Sequence, residues 1–123
     1  MNQEPNKQIV KLLNELNAKS PEMEASAVVT RDGLTVASAL NPGVDPDRIG
    51  AMCAALLGLA DTAATEMARG ELKLVLLHGT EGVLLLVHIG QSHVLALSAT
   101  TEIKLGMVLV DAKKAAATVA TML

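Results

Sequence analysis

The chain has 123 residues, of which 50% are hydrophobic and 19% are charged, and its formal net charge at pH 7 is −3. This composition is typical of one folded domain, here residues 1–123, and not of a disordered chain. The acidic balance and the lack of Phe, Tyr and Trp argue against nucleic-acid binding, which uses basic surfaces and aromatic stacking.

The first predicted elements are a helix followed by a pair of strands. An amphipathic helix is expected from Pro5 to about Ala18, because its apolar residues recur every three or four positions. Strands are expected at Ala25–Thr30 and Leu34–Leu40. The Asp32-Gly33 pair between them favours a tight hairpin turn.

A long apolar helix is predicted next, from about Asp47 to Met67. Its large residues recur at helical spacing and are expected to pack on the domain's own sheet: Ile49, Met52, Leu56, Leu59, Ala63 and Met67. A second stripe consists of small residues, which let another backbone come close: Ala51, Ala55, Gly58 and Thr62. The pattern therefore predicts a central helix that is buried on two sides, once inside its domain and once by a partner.

The sequence indicates a cytoplasmic protein. The uncharged run Ile49–Ala60 is shorter than the roughly 20 residues that span a bilayer, and the polar start Met1–Glu4 does not resemble a signal peptide. The only cysteine, Cys53, cannot form an internal disulfide. We expect no membrane partner.

Three further strands and a final helix complete the chain. The strands are expected at Leu72–His78, Val83–Ile89 and His93–Ala99, and the helix from about Lys104 to Met122. Short turn segments between the strands favour antiparallel neighbours. The order α-β-β-α-β-β-β-α predicts an α+β fold with a central five-stranded antiparallel sheet.

No metal, cofactor or catalytic residue is predicted. His78, His88 and His93 invite a metal hypothesis, and a two-residue turn would place the last two side by side, whereas a three-residue loop would turn them to opposite faces. No further ligand lies near them in the sequence, and zinc sites usually need three or four. Cys53 lies within an apolar helix, which favours a small buried hydrophobe over a nucleophile.

Four stretches, in this order and spacing, together resemble the Roadblock family of small regulatory domains: Val29–Ser38, Asp47–Leu56, Gly70–Val75 and Lys104–Val108. Lys104 departs from the pattern, since relatives often have Asn there. The resemblance covers about residues 6–123 and is greatest to the prokaryotic branch that includes the gliding-motility B-type regulators. It implies a profilin-like Roadblock sandwich.

The resemblance also implies a homodimer that regulates a small Ras-like GTPase or serves as its docking scaffold, binding the GTPase's switch surface. Central helices would pack side by side and third strands would pair across a two-fold axis. The implied dimer interface is Ala51, Ala55, Gly58, Thr62, Leu72, Lys73, Leu74, Val75, Leu76 and Leu77. The residues expected to face the GTPase are Arg48, Asp61 and Thr65.

Two other functions remain open at this stage: a pure assembly module for a signalling or motility complex, and a small-molecule sensor. The chain is not itself the GTPase, because it lacks the phosphate-binding loop Gly-x-x-x-x-Gly-Lys-Ser/Thr. Arg48 is the candidate for an arginine finger supplied to the GTPase. A solvated surface charge is the interpretation of Arg48 that we favour.

Overall fold

The computed structural model describes residues 4–123 and contains three helices and five strands. The elements, in chain order, are α1 Glu4–Asn17, β1 Met23–Thr30, β2 Thr35–Ala39, α2 Pro46–Glu66, β3 Leu74–His78, β4 Val83–Ile89, β5 His93–Ala99 and α3 Leu105–Ala120. The predicted element order is confirmed. Residues 1–3, part of the stretch used to argue against a signal peptide, lie outside the described residues.

All five strands form one antiparallel sheet with the strand order β2-β1-β5-β4-β3. The hairpin of β1 and β2 turns at Gly33, whose φ of 103° suits a residue without a Cβ. Pairing between β1 and β5, which are distant in sequence, joins this hairpin to the meander of β3, β4 and β5. The edge strands are therefore β2 and β3.

Helices α1 and α3 cover one face of the sheet and enclose the larger core. Ile9 and Leu13 of α1, together with Val119 of α3, are fully buried there. Leu95 and Leu97 of β5 point into the same core. Burial of this apolar surface is the main stabilising contribution.

Helix α2 alone covers the opposite face. Asp45 caps its start by accepting a hydrogen bond from the Asp47 N–H at 3.0 Å, and Pro46 occupies the first turn. A smaller core lies between α2 and the sheet, formed by Cys53, Leu57, Leu86, Val94 and Ala96. This second core positions the surface described below.

The third strand begins two residues later than predicted. Its pairing with β4 starts at Leu74, opposite Val87. Leu72 instead packs against the smaller core beneath α2, and Lys73 is exposed. Leu72 and Lys73, which were predicted as part of the strand, form its entry.

Candidate functional site

The outer face of α2 is the largest departure from the sequence-based expectation. Met52, Leu59 and Met67, predicted to pack on the domain's own sheet, are 48%, 71% and 68% exposed. The residues buried against the sheet are Gly50, Cys53 and Leu57. The prediction for the large stripe is therefore wrong for these three residues; of its other members Ala63 is exposed, and Ile49 and Leu56 are half-buried.

A close approach of two backbones explains which face α2 turns to the sheet. A Cβ on Gly50 would lie 2.5 Å from the carbonyl oxygen of Gly33 and 2.7 Å from the hydroxyl oxygen of Thr35. Only glycine allows this contact between the helix and the hairpin. Because Gly50 must face the hairpin, Cys53 and Leu57, three and seven residues later, face the sheet as well.

The predicted small stripe is exposed along its whole length: Ala51, Ala55, Gly58 and Thr62. Ala51 lies beside Gly33 at the turn of the hairpin. The Thr62 hydroxyl donates a hydrogen bond to the carbonyl oxygen of Gly58 at 3.0 Å. Since large and small residues are both exposed, the outer side of α2 is apolar over most of its circumference, although apolar helix faces normally pack inward.

Helix α2 is also long and apolar enough to cross a membrane, by length and composition only. It has 21 residues, and only 17% of its most apolar 18-residue window is buried inside the domain. The uncharged run Ile49–Ala60, on which the expectation of a helix too short for a bilayer rests, is shorter than the whole helix. Cys53 and Leu57 nevertheless pack on the sheet, as in a helix that belongs to a folded domain.

The open edge of the sheet is β3, which has no strand on its outer side among residues 4–123. Leu76 and Leu77 are 43% and 45% exposed, and His78 is exposed too. At the other edge, α1 packs over β2, and the Asn17 side chain donates a hydrogen bond to the Ala39 carbonyl oxygen at 3.0 Å. An apolar edge strand without such cover is prone to pair with another chain.

The three residues expected to face a GTPase differ in their surroundings. Arg48 and Thr65 are exposed. The Asp61 carboxylate accepts a hydrogen bond from the Arg31 guanidinium, which also donates to the Gln91 carbonyl oxygen at 3.4 Å. Asp61 therefore ties α2 to the hairpin turn, a role that the sequence did not reveal because Arg31 lies 30 residues earlier.

An open groove of about 680 Å³ adjoins this ion pair. It runs between the end of α2, the entry to β3 and the turn between β4 and β5, and is lined by Arg31, Asp61, Glu71, Leu72, Lys73, Leu74, His88, Gly90, Gln91 and Lys113. Its lining carries both positive and negative side chains. Sequence reasoning missed this groove because its residues come from five separate segments.

The structure settles the arrangement of the histidines. The turn between β4 and β5 has three residues, so His88 lies opposite Val94 and His93 lies opposite Ile89. His88 and His93 consequently point to opposite faces of the sheet. Within residues 4–123, no group of three His, Cys, Asp or Glu side chains is placed to hold a metal ion.

Cys53 is buried at 3% exposure. Burial raises the pKa of its thiol, because desolvation disfavours the thiolate. A neutral, enclosed thiol is a poor nucleophile. Cys53 therefore acts as a small apolar residue of the core.

Comparisons with known proteins agree with this architecture. The family model described as Roadblock/LC7 domain matches residues 9–99. The uncharacterized protein MJ1340 of Methanocaldococcus jannaschii is 34% identical over 114 residues, which cover 93% of this chain and 98% of that protein. Among solved structures, Myxococcus xanthus MglB superposes with a TM-score of 0.88 at 19% identity, over 99% of this chain and 92% of that chain.

Profilin IA of Acanthamoeba castellanii superposes with a TM-score of 0.60 at 17% identity, over 91% of this chain and 96% of that chain. At these low identities the two structural likenesses show a shared fold. They confirm the predicted combination of a Roadblock and a profilin-like architecture.

Proposed function

Because the chain belongs to the Roadblock/LC7 domain family, we propose that it is a homodimeric regulator or docking scaffold of a small Ras-like GTPase, with no catalytic centre of its own. The observation that carries the proposal is the apolar outer face of α2 next to the open edge β3. The family resemblance in the sequence supplies the kind of partner. Fold alone does not define function, so the two halves of the proposal are tested separately.

The dimer is the first half. A second copy would cover four large apolar side chains: Leu59 on α2, Met67 at the C-cap of α2, and Leu76 and Leu77 on β3. Removing such a side chain from water contributes roughly 1.5–3 kcal/mol when its burial is complete. A two-fold contact buries the same patch on both copies, which doubles this gain against an association cost of about 4–15 kcal/mol.

A matched pair of variants tests the dimer. Leu59→Glu places a charge on the outer face of α2, and Met107→Glu does so at a side chain of α3 with similar exposure, 64% against 71%. We expect light scattering at micromolar concentration to show a dimer for the wild type and for Met107→Glu. For Leu59→Glu we expect a dissociation constant at least about 100-fold larger, since a buried unpaired carboxylate is costly.

A monomeric wild-type protein under these conditions would reject the dimer. Equal weakening by both glutamates would show that the outer face of α2 is not the interface. Circular dichroism of both variants checks that each remains folded.

The GTPase is the second half. Arg48 and Thr65 are exposed on α2, whereas the Asp61 carboxylate is hydrogen-bonded to Arg31. We therefore propose that Arg48 and Thr65 contact the GTPase directly and that Asp61 lies at the margin of the contact surface. Pull-down with a Ras-like GTPase from the same organism, loaded with GTP or GDP, measures the preference. Preference for the GTP form supports a regulator, and equal capture of both forms supports the alternative, a pure assembly module.

A variant of Arg48 distinguishes a dimer that only docks the GTPase from one that takes part directly in GTP hydrolysis. An arginine finger accelerates GTP hydrolysis by roughly 1,000-fold or more, so its removal would abolish stimulation by the dimer. We expect Arg48→Ala to weaken binding and to leave the stimulated rate of the bound complex within a few-fold of wild type. Loss of stimulation with intact binding would contradict this expectation.

The proposal includes a cytoplasmic location, although α2 has the length and composition of a membrane span. The packing of Cys53 and Leu57 on the sheet and cover of the outer face by a second copy would account for its apolar character. Cell fractionation that finds the protein in the membrane pellet after a high-salt wash would overturn this part.

A further inference from the structure

A cavity of about 250 Å³ lies at the beginning of α3, on the face of the sheet that α1 and α3 cover. Four segments meet there: the exit of α1, the start of β1, the connection from β5 to α3, and the first turns of α3. The lining residues are Lys19, Ser20, Glu22, Met23, Glu102, Ile103, Lys104, Met107, Val108 and Asp111. We propose that this cavity binds a free amino acid with a small apolar side chain, such as valine. The cavity is separate from the outer face of α2 and from β3, so the inference goes beyond the proposed regulation of a GTPase.

The first argument is the apolar floor of the cavity. Met23 of β1 and Val108 of α3 are buried members of the larger core. Ile103 packs against the same core from the connection that precedes α3. Met107 also lines the cavity, and its side chain is exposed. An apolar ligand group on this floor would be removed from water together with part of these side chains, which favours binding.

The second argument is a set of charges of both signs around that floor. Glu22 and Asp111 are half-buried, and Lys19, Lys104 and Glu102 are exposed. Within residues 4–123 none of these five side chains takes part in an ion pair. A half-buried carboxylate attracts a cationic group, because partial burial lowers the effective dielectric constant around it. The cavity therefore offers acceptors for an ammonium group and donors for a carboxylate in one place.

The start of α3 arranges these charges along one line. Helix residues three or four positions apart share a face, and Lys104, Val108 and Asp111 all line the cavity. The Lys104 side chain caps none of the first N–H groups of α3, and such groups favour a carboxylate nearby. Because helical side chains lean toward the start of their helix, the Asp111 carboxylate is directed back toward Lys104. A ligand carboxylate near Lys104 and a ligand ammonium group near Asp111 and Glu22 match this order.

The third argument is a hydroxyl group in the wall of the cavity. Ser20 lines the cavity, and its hydroxyl oxygen is enclosed without a hydrogen-bond partner among the described residues. Buried polar groups are normally hydrogen-bonded. An orphaned hydroxyl therefore marks a position where a polar group from outside the chain would be stabilised.

The size of the cavity selects a small ligand. Its volume of about 250 Å³ lies below the roughly 300–1,000 Å³ of sites for drug-sized molecules. At about 30 Å³ per water molecule, this volume holds roughly eight non-hydrogen atoms, the size of valine. Backbone hydrogen bonds fix the walls: the Thr100 N–H donates to the Glu22 carbonyl oxygen at 2.9 Å, and the Met23 N–H donates to the Ser20 carbonyl oxygen at 3.2 Å. A site that is already formed loses little conformational entropy on binding.

Isothermal titration calorimetry of the full-length protein with L-valine tests the proposal. We expect saturable binding with a dissociation constant at or below about 1 mM. Three analogues each lack one recognised group: N-acetyl-L-valine lacks the ammonium group, L-valinamide lacks the carboxylate, and glycine lacks the apolar side chain. We expect each analogue to bind at least about tenfold more weakly, because each leaves one part of the cavity without its partner. Equal binding of valine and any analogue, or no binding of valine up to about 10 mM, would overturn the proposal.

A matched pair of variants tests whether binding occurs in this cavity. Glu22→Gln removes a carboxylate that lines the cavity, and Glu24→Gln makes the same change at an exposed position outside the lining. We expect Glu22→Gln to weaken valine binding by about tenfold and Glu24→Gln to leave it within about twofold. Asp111→Asn is a second cavity variant with an expected loss of similar size. Unchanged binding in both cavity variants, or an equal loss for Glu24→Gln, would reject the site.

Methionine methyl groups report the position of the ligand without any substitution. Met23 and Met107 line the cavity, whereas Met52 lies on α2 and Met67 at its C-cap. In protein labelled with carbon-13 at the methionine methyl groups, valine should shift the NMR signals of Met23 and Met107 and leave those of Met52 and Met67 in place. Binding heat without shifts at Met23 and Met107 would contradict the proposed position.

Discussion

The two faces of the sheet differ in how much cover they receive. Helices α1 and α3 lie side by side over one face, and the core beneath them includes Ile9, Leu95 and Leu97, all at most 2% exposed. Helix α2 lies alone over the other face, with a core of five buried residues. Its own outer side exposes Leu59 and Met67 more than two-thirds.

Simple dimensions explain the difference. A helix with its side chains is about 10 Å wide, whereas five strands spaced about 4.8 Å apart extend over roughly 20–24 Å. Two helices can cover such a sheet and one cannot. The single helix is nevertheless apolar on its outer side, and the proposed second copy would supply the remaining cover.

The largest effect is expected from core leucines. Leu95→Ala removes a fully buried side chain under two helices, and Leu57→Ala removes one that is 2% exposed under one helix. We expect Leu95→Ala to lower the free energy of unfolding by about 4 kcal/mol and Leu57→Ala to lower it by about 2–3 kcal/mol. The loss for Leu57→Ala is smaller because the edge of the smaller core can collapse into the space left. Urea denaturation of both variants measures them.

A loss for Leu57→Ala equal to or above that for Leu95→Ala would contradict the difference in packing between the faces. Measurements at two protein concentrations separate the stability of the domain from that of the dimer.

Two glycines on α2 allow its inner and outer sides to be compared by the same substitution. A Cβ at Gly50 would lie 2.5 Å from the Gly33 carbonyl oxygen, whereas nothing lies within 4 Å of a Cβ at Gly58. We expect Gly50→Ala to lower the free energy of unfolding by about 1–3 kcal/mol through the clash. In the dissociated single copy, where nothing lies near Gly58, Gly58→Ala should raise it by about 0.5–1 kcal/mol through helix propensity.

Thermal unfolding of the two alanine variants is the measurement. The two changes have the same chemistry and the same helix, so opposite signs isolate the contact with Gly33. A stabilising Gly50→Ala would show that the hairpin moves away freely.

The smallest effect concerns the ion pair that ties α2 to the hairpin. Arg31 and Asp61 have side chains that are 40% and 35% exposed. An exposed pair contributes less than about 1 kcal/mol, and salt screens it. A double-mutant cycle of Arg31→Ala and Asp61→Ala should give a coupling energy of about 0.5 kcal/mol at low salt that falls at 1 M NaCl.

A coupling energy above about 2 kcal/mol would show that the pair is shielded from solvent. That result would place Asp61 at the base of the groove and leave it out of reach of a partner.

The parts of the fold that local patterns define were predictable. Asp32-Gly33 located the first hairpin, and the turn segments after His78 and Ile89 located the meander. The rotation of α2 was not predictable from its pattern, because an apolar helix without a polar side has no face that its sequence assigns to the sheet. The contact between Gly50 and Gly33 sets the rotation. It turns to the sheet a third line of residues, Gly50, Cys53 and Leu57, which belongs to neither predicted stripe.

The candidate site likewise has features that the sequence predicted and features that it did not. Exposure of the small stripe along Ala51, Ala55, Gly58 and Thr62, and the edge position of β3, agree with what a partner surface requires. The exposed large residues of α2 and the pairing of Asp61 with Arg31 were missed. Both depend on contacts between segments that are distant in the sequence, and local sequence patterns do not predict such contacts.

By itself, the sequence determined the number, order and type of elements, because turn residues and apolar periodicity act over a few positions. It also determined membership of the Roadblock/LC7 family. The tertiary structure alone decided which side of α2 stays exposed and which backbone groups of β3 point outward. Those features follow from the approach of the hairpin of β1 and β2 to Gly50 and from the hydrogen bond between Gly79 and Gly82 that closes the hairpin of β3 and β4, contacts that exist only once the sheet has formed.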